Sequence, residues 1–199
     1  MPSHEPLARV VLIGGASGSG KSRLAEASGL PLLRLDDFYR EHDDPALPRF
    51  DSGEVDWDHR GSWNAAAAVD ALESLAHSGR AEAPIYDISS SSVIGSRTVA
   101  LDGARVFLAE GIFVGEVVAE ARRRGILQDA VCVRRSRWLT MWLRFLRDVR
   151  ESRKSLGVLL RRGLRLARNE PAILAELTAA GCRPVSVRKL RVQLADYAA

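Results

Sequence analysis

Apolar positions in this chain come in short unbroken runs separated by longer stretches with helical spacing. Val10 to Ile13, Leu32 to Leu35, Val106 to Ala109 and Ala130 to Val133 each read as a strand buried on both faces. Between them the pattern changes period. Asn64 to His77 places Val69, Leu72 and Leu75 on one helical face, with Gly79 as its stop. Lys21 to about Ser28, closed by Gly29, and Val114 to Arg124 read as further helices. Pro84 to Ile88 and Arg97 to Leu101 read as a pair of strands joined by the serine turn Ser89 to Ser92, and so as a hairpin. Helix is predicted from Arg137 to about Arg168 and from Pro171 to Ala180, with a last short segment at Val185 to Leu190. Phe38 to Ser62 has no period and is rich in turn formers (Asp43, Asp44, Pro45, Pro48, Gly53), which marks a functional loop. Strands alternating with helices imply an α/β fold: a parallel sheet with helices on both faces. With 199 residues, one domain is expected, covering residues 1–199.

Composition narrows this little. Hydrophobic residues make up 46% and charged residues 27%, which suits a globular protein in water. A net charge of +4 accommodates an anionic small molecule as well as nucleic acid. No apolar run approaches the roughly 20 residues of a membrane span, and the first residues lack a secretory pattern, so a cytoplasmic protein without membrane attachment is expected. The two cysteines, Cys132 and Cys182, belong to no C-x-x-C pair and read as buried free thiols.

The first apolar run leads directly into Gly15-Ala16-Ser17-Gly18-Ser19-Gly20-Lys21-Ser22, which fits G-x-x-x-x-G-K-[ST]. Lys21 is one of only three lysines among 29 basic residues. The glycines let backbone N–H groups point inward as an anion nest. Lys21 then reaches the β and γ phosphates, and the Ser22 hydroxyl is a Mg²⁺ ligand. A compact ammonium fits such a nest where a planar guanidinium does not. This P-loop predicts a nucleoside triphosphate, ATP, but does not identify what receives the phosphate.

Two acids follow buried strands. Asp36, in Leu35-Asp36-Asp37-Phe38-Tyr39, closes the second run. The carboxyl ends of parallel strands form the ligand crevice, so an acid there can take the proton of an attacking hydroxyl; a simple turn would explain the two aspartates but not the two aromatic rings after them. Glu110 closes Val106 to Ala109, where an acid that organises Mg²⁺ belongs, the alternative being a turn residue. On the helix from Arg137, Trp138, Trp142, Phe145 and Val149 share one face, while Arg144, Arg147, Asp148 and Glu151 lie opposite. That opposite face reads either as solvated ion pairs or as a lid closing over a phosphoryl group. Arg161, Arg162, Arg165 and Arg168 read as surface, without aromatics that would stack on bases, so no nucleic-acid partner is expected. His4, His42 and His77 are assigned no role.

Together these residues resemble the uridine/cytidine kinase family of P-loop kinases. The likeness runs through the phosphate loop, Asp36-x-Phe38-Tyr39, Pro84-Ile85-Tyr86-Asp87, Glu110-Gly111-Ile112 and Arg144-x-x-Arg147-Asp148-x-x-Glu151-x-Arg153, spanning about Val10 to Lys154. Trp57-Asp58-His59 is similar to that family's Phe-Asp-His. The resemblance implies ATP-dependent transfer to the 5′-hydroxyl of a nucleoside, with Mg²⁺ served by Ser22 and Glu110. It implies Asp36 as the base, Tyr39 and Tyr86 lining the pocket, Trp57 facing the base and Asp58 holding ribose hydroxyls. It also implies a lid over about residues 137–169 carrying Arg144 and Arg147 to the phosphate, and it permits a homo-oligomer. The stretch after Tyr86-Asp87 departs from the family: it has no histidine, and Ile88 stands where an aromatic is usual. The acceptor is therefore left open between a pyrimidine nucleoside, another nucleoside and a different small alcohol such as a pantothenate- or phosphoribulose-type substrate. A non-kinase ATP-binding regulatory protein is the alternative of another class.

Overall fold

The computed structural model describes residues 5–135 and 170–198. Its centre is a five-stranded parallel sheet in the order β2-β5-β1-β6-β7. The strands are β1 (Arg9–Gly14), β2 (Leu32–Arg34), β5 (Val106–Glu110), β6 (Leu127–Arg134) and β7 (Arg183–Ser186). β1 occupies the middle because Val10 to Ile13 are apolar without interruption and can be covered on both sides. Its register pairs Ile13 with Glu110 on one side and with Val131 on the other.

Helices cover both faces. On one side α1 (Lys21–Ala27) and α5 (Val187–Ala198) bury Leu24, Ala25, Leu190 and Leu194 against Val11, Ile13, Leu108 and Val131. On the other, α2 (Ala65–Ser78), α3 (Gly115–Arg123) and α4 (170–179) pack around Val10, Leu12, Phe107 and Ala109. The ends of α2 are written in its sequence. Asn64 accepts the Ala67 N–H as N-cap, and Gly79 takes the left-handed C-cap conformation. The fold is thus the α/β P-loop architecture that the sequence implies.

β3 (Arg80–Asp87) and β4 (Ser92–Ala100) form a separate antiparallel hairpin; each strand begins four or five residues before the apolar pattern suggests and ends one residue sooner. Three further boundaries differ from the sequence reading. β2 ends at Arg34, and Leu35–Phe38 is a 3₁₀ turn, so Asp36 sits just beyond the strand rather than on it. β6 begins at Leu127, three residues before the apolar run. The segment Val185 to Leu190 is not one element: Val185 is the inward residue of edge strand β7, and Val187 opens α5. Both cysteines are buried and free, as expected. The helix predicted from Arg137 to about Arg168, expected to form a lid with Arg144 and Arg147, and the basic run Arg161 to Arg168 lie outside the described residues. Among the described residues no helix is long and apolar enough to cross a membrane.

Candidate active site

The phosphate loop links β1 to α1 with Gly15, Gly18 and Gly20 at positive φ. At Gly20 (φ 92°) the requirement is double, because a Cβ there would also lie 3.2 Å from a guanidinium nitrogen of Arg135. Arg135, at the end of β6, donates to the Ser19 carbonyl at 3.4 Å. Lys21 is folded inward and only 4% exposed. Its ammonium lies 3.6 Å from the Glu110 carboxylate, itself 3% exposed at the end of β5. The Ser22 hydroxyl reaches the same carboxylate. Burial pushes the Glu110 carboxyl above its ordinary value, Lys21 opposes this, and the nearby Asp36 adds to it. One Glu110 oxygen has no hydrogen-bond partner. A buried carboxylate oxygen left in this condition beside a hydroxyl is a fitting ligand for a hard divalent cation or its water. Among the described residues no group of three or more His, Cys, Asp or Glu forms a protein cage for a metal. The donor set therefore suits an ion that shares its coordination with phosphate oxygens and water.

Asp36 faces this pair across the carboxyl ends of the sheet. Its Oδ1 accepts the Ile112 N–H at 2.9 Å. The neighbouring Asp37 points away, to Arg97 of β4 at 3.3 Å, and burial raises its carboxyl despite that partner. The two aspartates, indistinguishable by position in the sequence, are therefore separated by their contacts.

Tyr39 leads into an aromatic cluster. Its ring lies 6.0 Å from Trp57, 5.7 Å from Tyr86 and 5.7 Å from Phe113, centroid to centroid. Burial raises the phenol, and the negative charges of Asp36 and Asp58 raise it further. Tyr86 donates to the Arg40 carbonyl at 3.2 Å, joining the hairpin to the loop. The loop is fastened from within by buried Ser62, whose hydroxyl lies 3.1 Å from the Trp57 carbonyl and 2.7 Å from the His59 carbonyl. His59 caps its own turn by accepting from Gly61 N–H. Asp58 is exposed, with its backbone N–H on Asp56.

The structure thus brings Lys21, Ser22, Glu110 and Asp36 to one end of the sheet, with Tyr39, Trp57 and Tyr86 beside them. Sequence reading missed Phe113, which stacks on Trp63 at 5.6 Å, and Trp63 itself, whose indole N–H donates to the Leu35 carbonyl at 2.6 Å. An aromatic three residues after a strand-ending acid was the available signal for Phe113. It also gave no contact to His42, whose ring lies 3.2 Å from the Ser92 hydroxyl and whose backbone N–H donates to the Ser91 carbonyl. An imidazole therefore does stand beside the histidine-free stretch after Tyr86, supplied from this other loop.

A scan against protein-family models finds no match, and a search of curated proteins finds none. Among solved structures, a candidate fructose transport system kinase from Silicibacter sp. TM1040 superposes with a TM-score of 0.61 at 17% identity, over 94% of this chain and 91% of that one. A candidate uridine kinase from Bacillus stearothermophilus gives 0.48 at 22% identity (72% and 80% of the chains), and the YGR205w protein 0.49 at 13% (83% and 77%). The first of these likenesses is one of fold.

Proposed function

We propose that this chain is an ATP-dependent kinase that phosphorylates a hydroxyl of a small neutral acceptor, of which the 5′-hydroxyl of a nucleoside is the leading case. The observation that carries it is the meeting of three groups at the carboxyl ends of β1, β5 and β2: Lys21 against Glu110, and Asp36 held on the Ile112 N–H with its other oxygen unengaged among the described residues. A phosphate cradle alone would serve any nucleotide-binding protein. A carboxylate poised beside it, at the mouth of an aromatic pocket, is what phosphoryl transfer to an alcohol needs.

In this reading the phosphate-loop N–H groups and Lys21 hold the β and γ phosphates. Asp36 takes the acceptor hydroxyl proton as that oxygen bonds to the γ phosphorus and the bond to the β-phosphate oxygen breaks, releasing ADP. Ser22 and Glu110 would hold Mg²⁺, which when bound neutralises charge on the phosphates. Tyr39, Tyr86 and Trp57 offer ring faces for a planar acceptor, and Asp58 offers a carboxylate to its hydroxyls. Arg144 and Arg147 would supply further positive charge from the lid.

A neutral acceptor is favoured because the guanidiniums near the pocket are engaged. Arg40 binds Asp44 at 2.8 Å and the Gly61 carbonyl at 3.1 Å, and Arg97 binds Asp37. An acceptor other than a pyrimidine nucleoside is the second reading. Asp87 is spent on the Ser89 and Ser90 hydroxyls and N–H groups, and Ile88 is 75% exposed, so this turn contributes no group that reads a pyrimidine edge.

The test is ADP release from Mg²⁺-ATP with a panel of nucleosides, pantothenate, sugars and sugar phosphates, with Asp36→Asn as control. Release driven by one acceptor and cut to a small residual rate in the variant, with ATP binding retained, supports the kinase. Binding of ATP with no acceptor-dependent release from any compound supports a regulatory protein instead.

A further inference from the structure

We infer that Gly111 is a positioning residue for Asp36, and that the absence of a Cβ at this position sets where the base stands. The inference rests on Asp36 acting as the base. A Cβ at Gly111 would lie 2.7 Å from Asp36 Oδ1, 2.9 Å from Leu35 Cβ and 3.4 Å from the Asp36 backbone nitrogen. Gly111 does not have the positive φ that would demand glycine for its backbone. Space, and not conformation, excludes a side chain.

None of the crowding atoms is free to give way. Leu35 is fully buried, so its Cβ is fixed by the core. Asp36 Oδ1 is tied at 2.9 Å to the N–H of Ile112, the residue following this glycine. Gly111 is itself anchored, its N–H donating to the Ile13 carbonyl of the central strand at 3.3 Å. The contact therefore transmits position. The sheet fixes Gly111, and Gly111 fixes the approach of the 3₁₀ turn. The next N–H then takes one carboxylate oxygen, which leaves the other for the acceptor. Glu110, immediately before, faces Lys21 at 3.6 Å. Three consecutive residues thus hold the cation-facing acid, the spacing and the orientation of the base in one register.

The experiment is a double-mutant cycle of Gly111→Ala with Asp36→Asn, read in acceptor phosphorylation and in ATP binding. Misplacing a reacting group by about 1 Å costs on the order of 100-fold in rate. Gly111→Ala is expected to lower kcat by about that factor with the KM for ATP changed less than about twofold. In the Asp36→Asn background the same substitution is expected to cost almost nothing, since the group it displaces is already disabled. Equal losses in both backgrounds, or a loss confined to ATP binding, would overturn the inference. A second measurement needs neither turnover nor the variant's stability. In the unsubstituted protein the Ile112 amide proton shift should follow the Asp36 carboxylate on acid titration, and it should stay flat in Asp36→Asn. A flat Ile112 amide in the unsubstituted protein overturns the inference even if phosphorylation is observed. A titrating amide with no acceptor found supports the positioning geometry while removing the kinase reading.

Discussion

Lys21 and Glu110 form a buried ion pair, 3.6 Å apart, each less than 5% exposed, across the strands β1 and β5 that carry the phosphate loop and the second acid. Each charge is kept tolerable by the other. Lys21→Met leaves the carboxylate buried alone and should cost on the order of 3 kcal/mol of stability. The double variant Lys21→Met/Glu110→Gln should recover most of that loss in a denaturant melt. Neither variant should regain measurable affinity for ATP, because the phosphates lose their ammonium in both. Recovery of ATP binding in the double variant would show that the pair is structural only.

Ser62 holds the loop that presents Trp57. Ser62→Ala removes both of its hydroxyl contacts, to the Trp57 and His59 carbonyls. The expected cost is about 1–2 kcal/mol of stability, together with a several-fold rise in acceptor KM and an unchanged KM for ATP. Steady-state kinetics on the acceptor identified in the panel decides this. An equal rise in both constants would show that the loop does not act at the acceptor side.

Trp63→Phe keeps an aromatic ring against Phe113 but deletes the indole N–H that the Leu35 carbonyl accepts in addition to the bond within its own 3₁₀ turn. A loss of about 1 kcal/mol is expected. Leu35 begins the turn that carries Asp36, so kcat should fall along with it. A tryptophan-to-phenylalanine change with full activity and full stability would remove this indole from the account.

Burial pushes the Cys182 thiol up to about 12 from an ordinary 9.0. The folded state keeps its proton at pH values where the unfolded chain has lost it. This contribution to stability is therefore complete below about pH 9 and declines as pH rises toward 12. Urea melts at pH 8 and pH 10 should show a smaller alkaline loss in Cys182→Ala than in the unsubstituted protein. Native Cys132 and Cys182 should resist a thiol reagent at pH 8 and react after unfolding.

Much of the site could be read from the chain because it is built where local pattern is strongest. Lys21 belongs to a contiguous motif, and Glu110 and Asp36 each follow a buried run, so topology places them together once the sheet is parallel. Asn64 and Gly79 likewise announced the helix between them. The features that escaped are those whose cause lies far along the chain. Trp63 meets Phe113 and Leu35, and His42 meets the serine turn, through contacts that no local period encodes. β7 escaped for another reason: an edge strand of four residues with one buried side chain, Val185, has no periodicity of its own.

The strand order has a consequence for how the chain acquires its fold. Arg9 pairs with Val106 and Val10 with Leu127, so the central strand emerges first and both of its neighbours arrive roughly a hundred residues later. Until then the most apolar run in the protein has no sheet to join. Its early partner is helix α2, whose own contacts are local and quick to form. Folding should therefore be limited by long-range closure of β5 onto β1, and a fragment ending before Val106 should not fold to a stable sheet. During synthesis Val10 to Ile13 would be the segment most in need of protection by a chaperone.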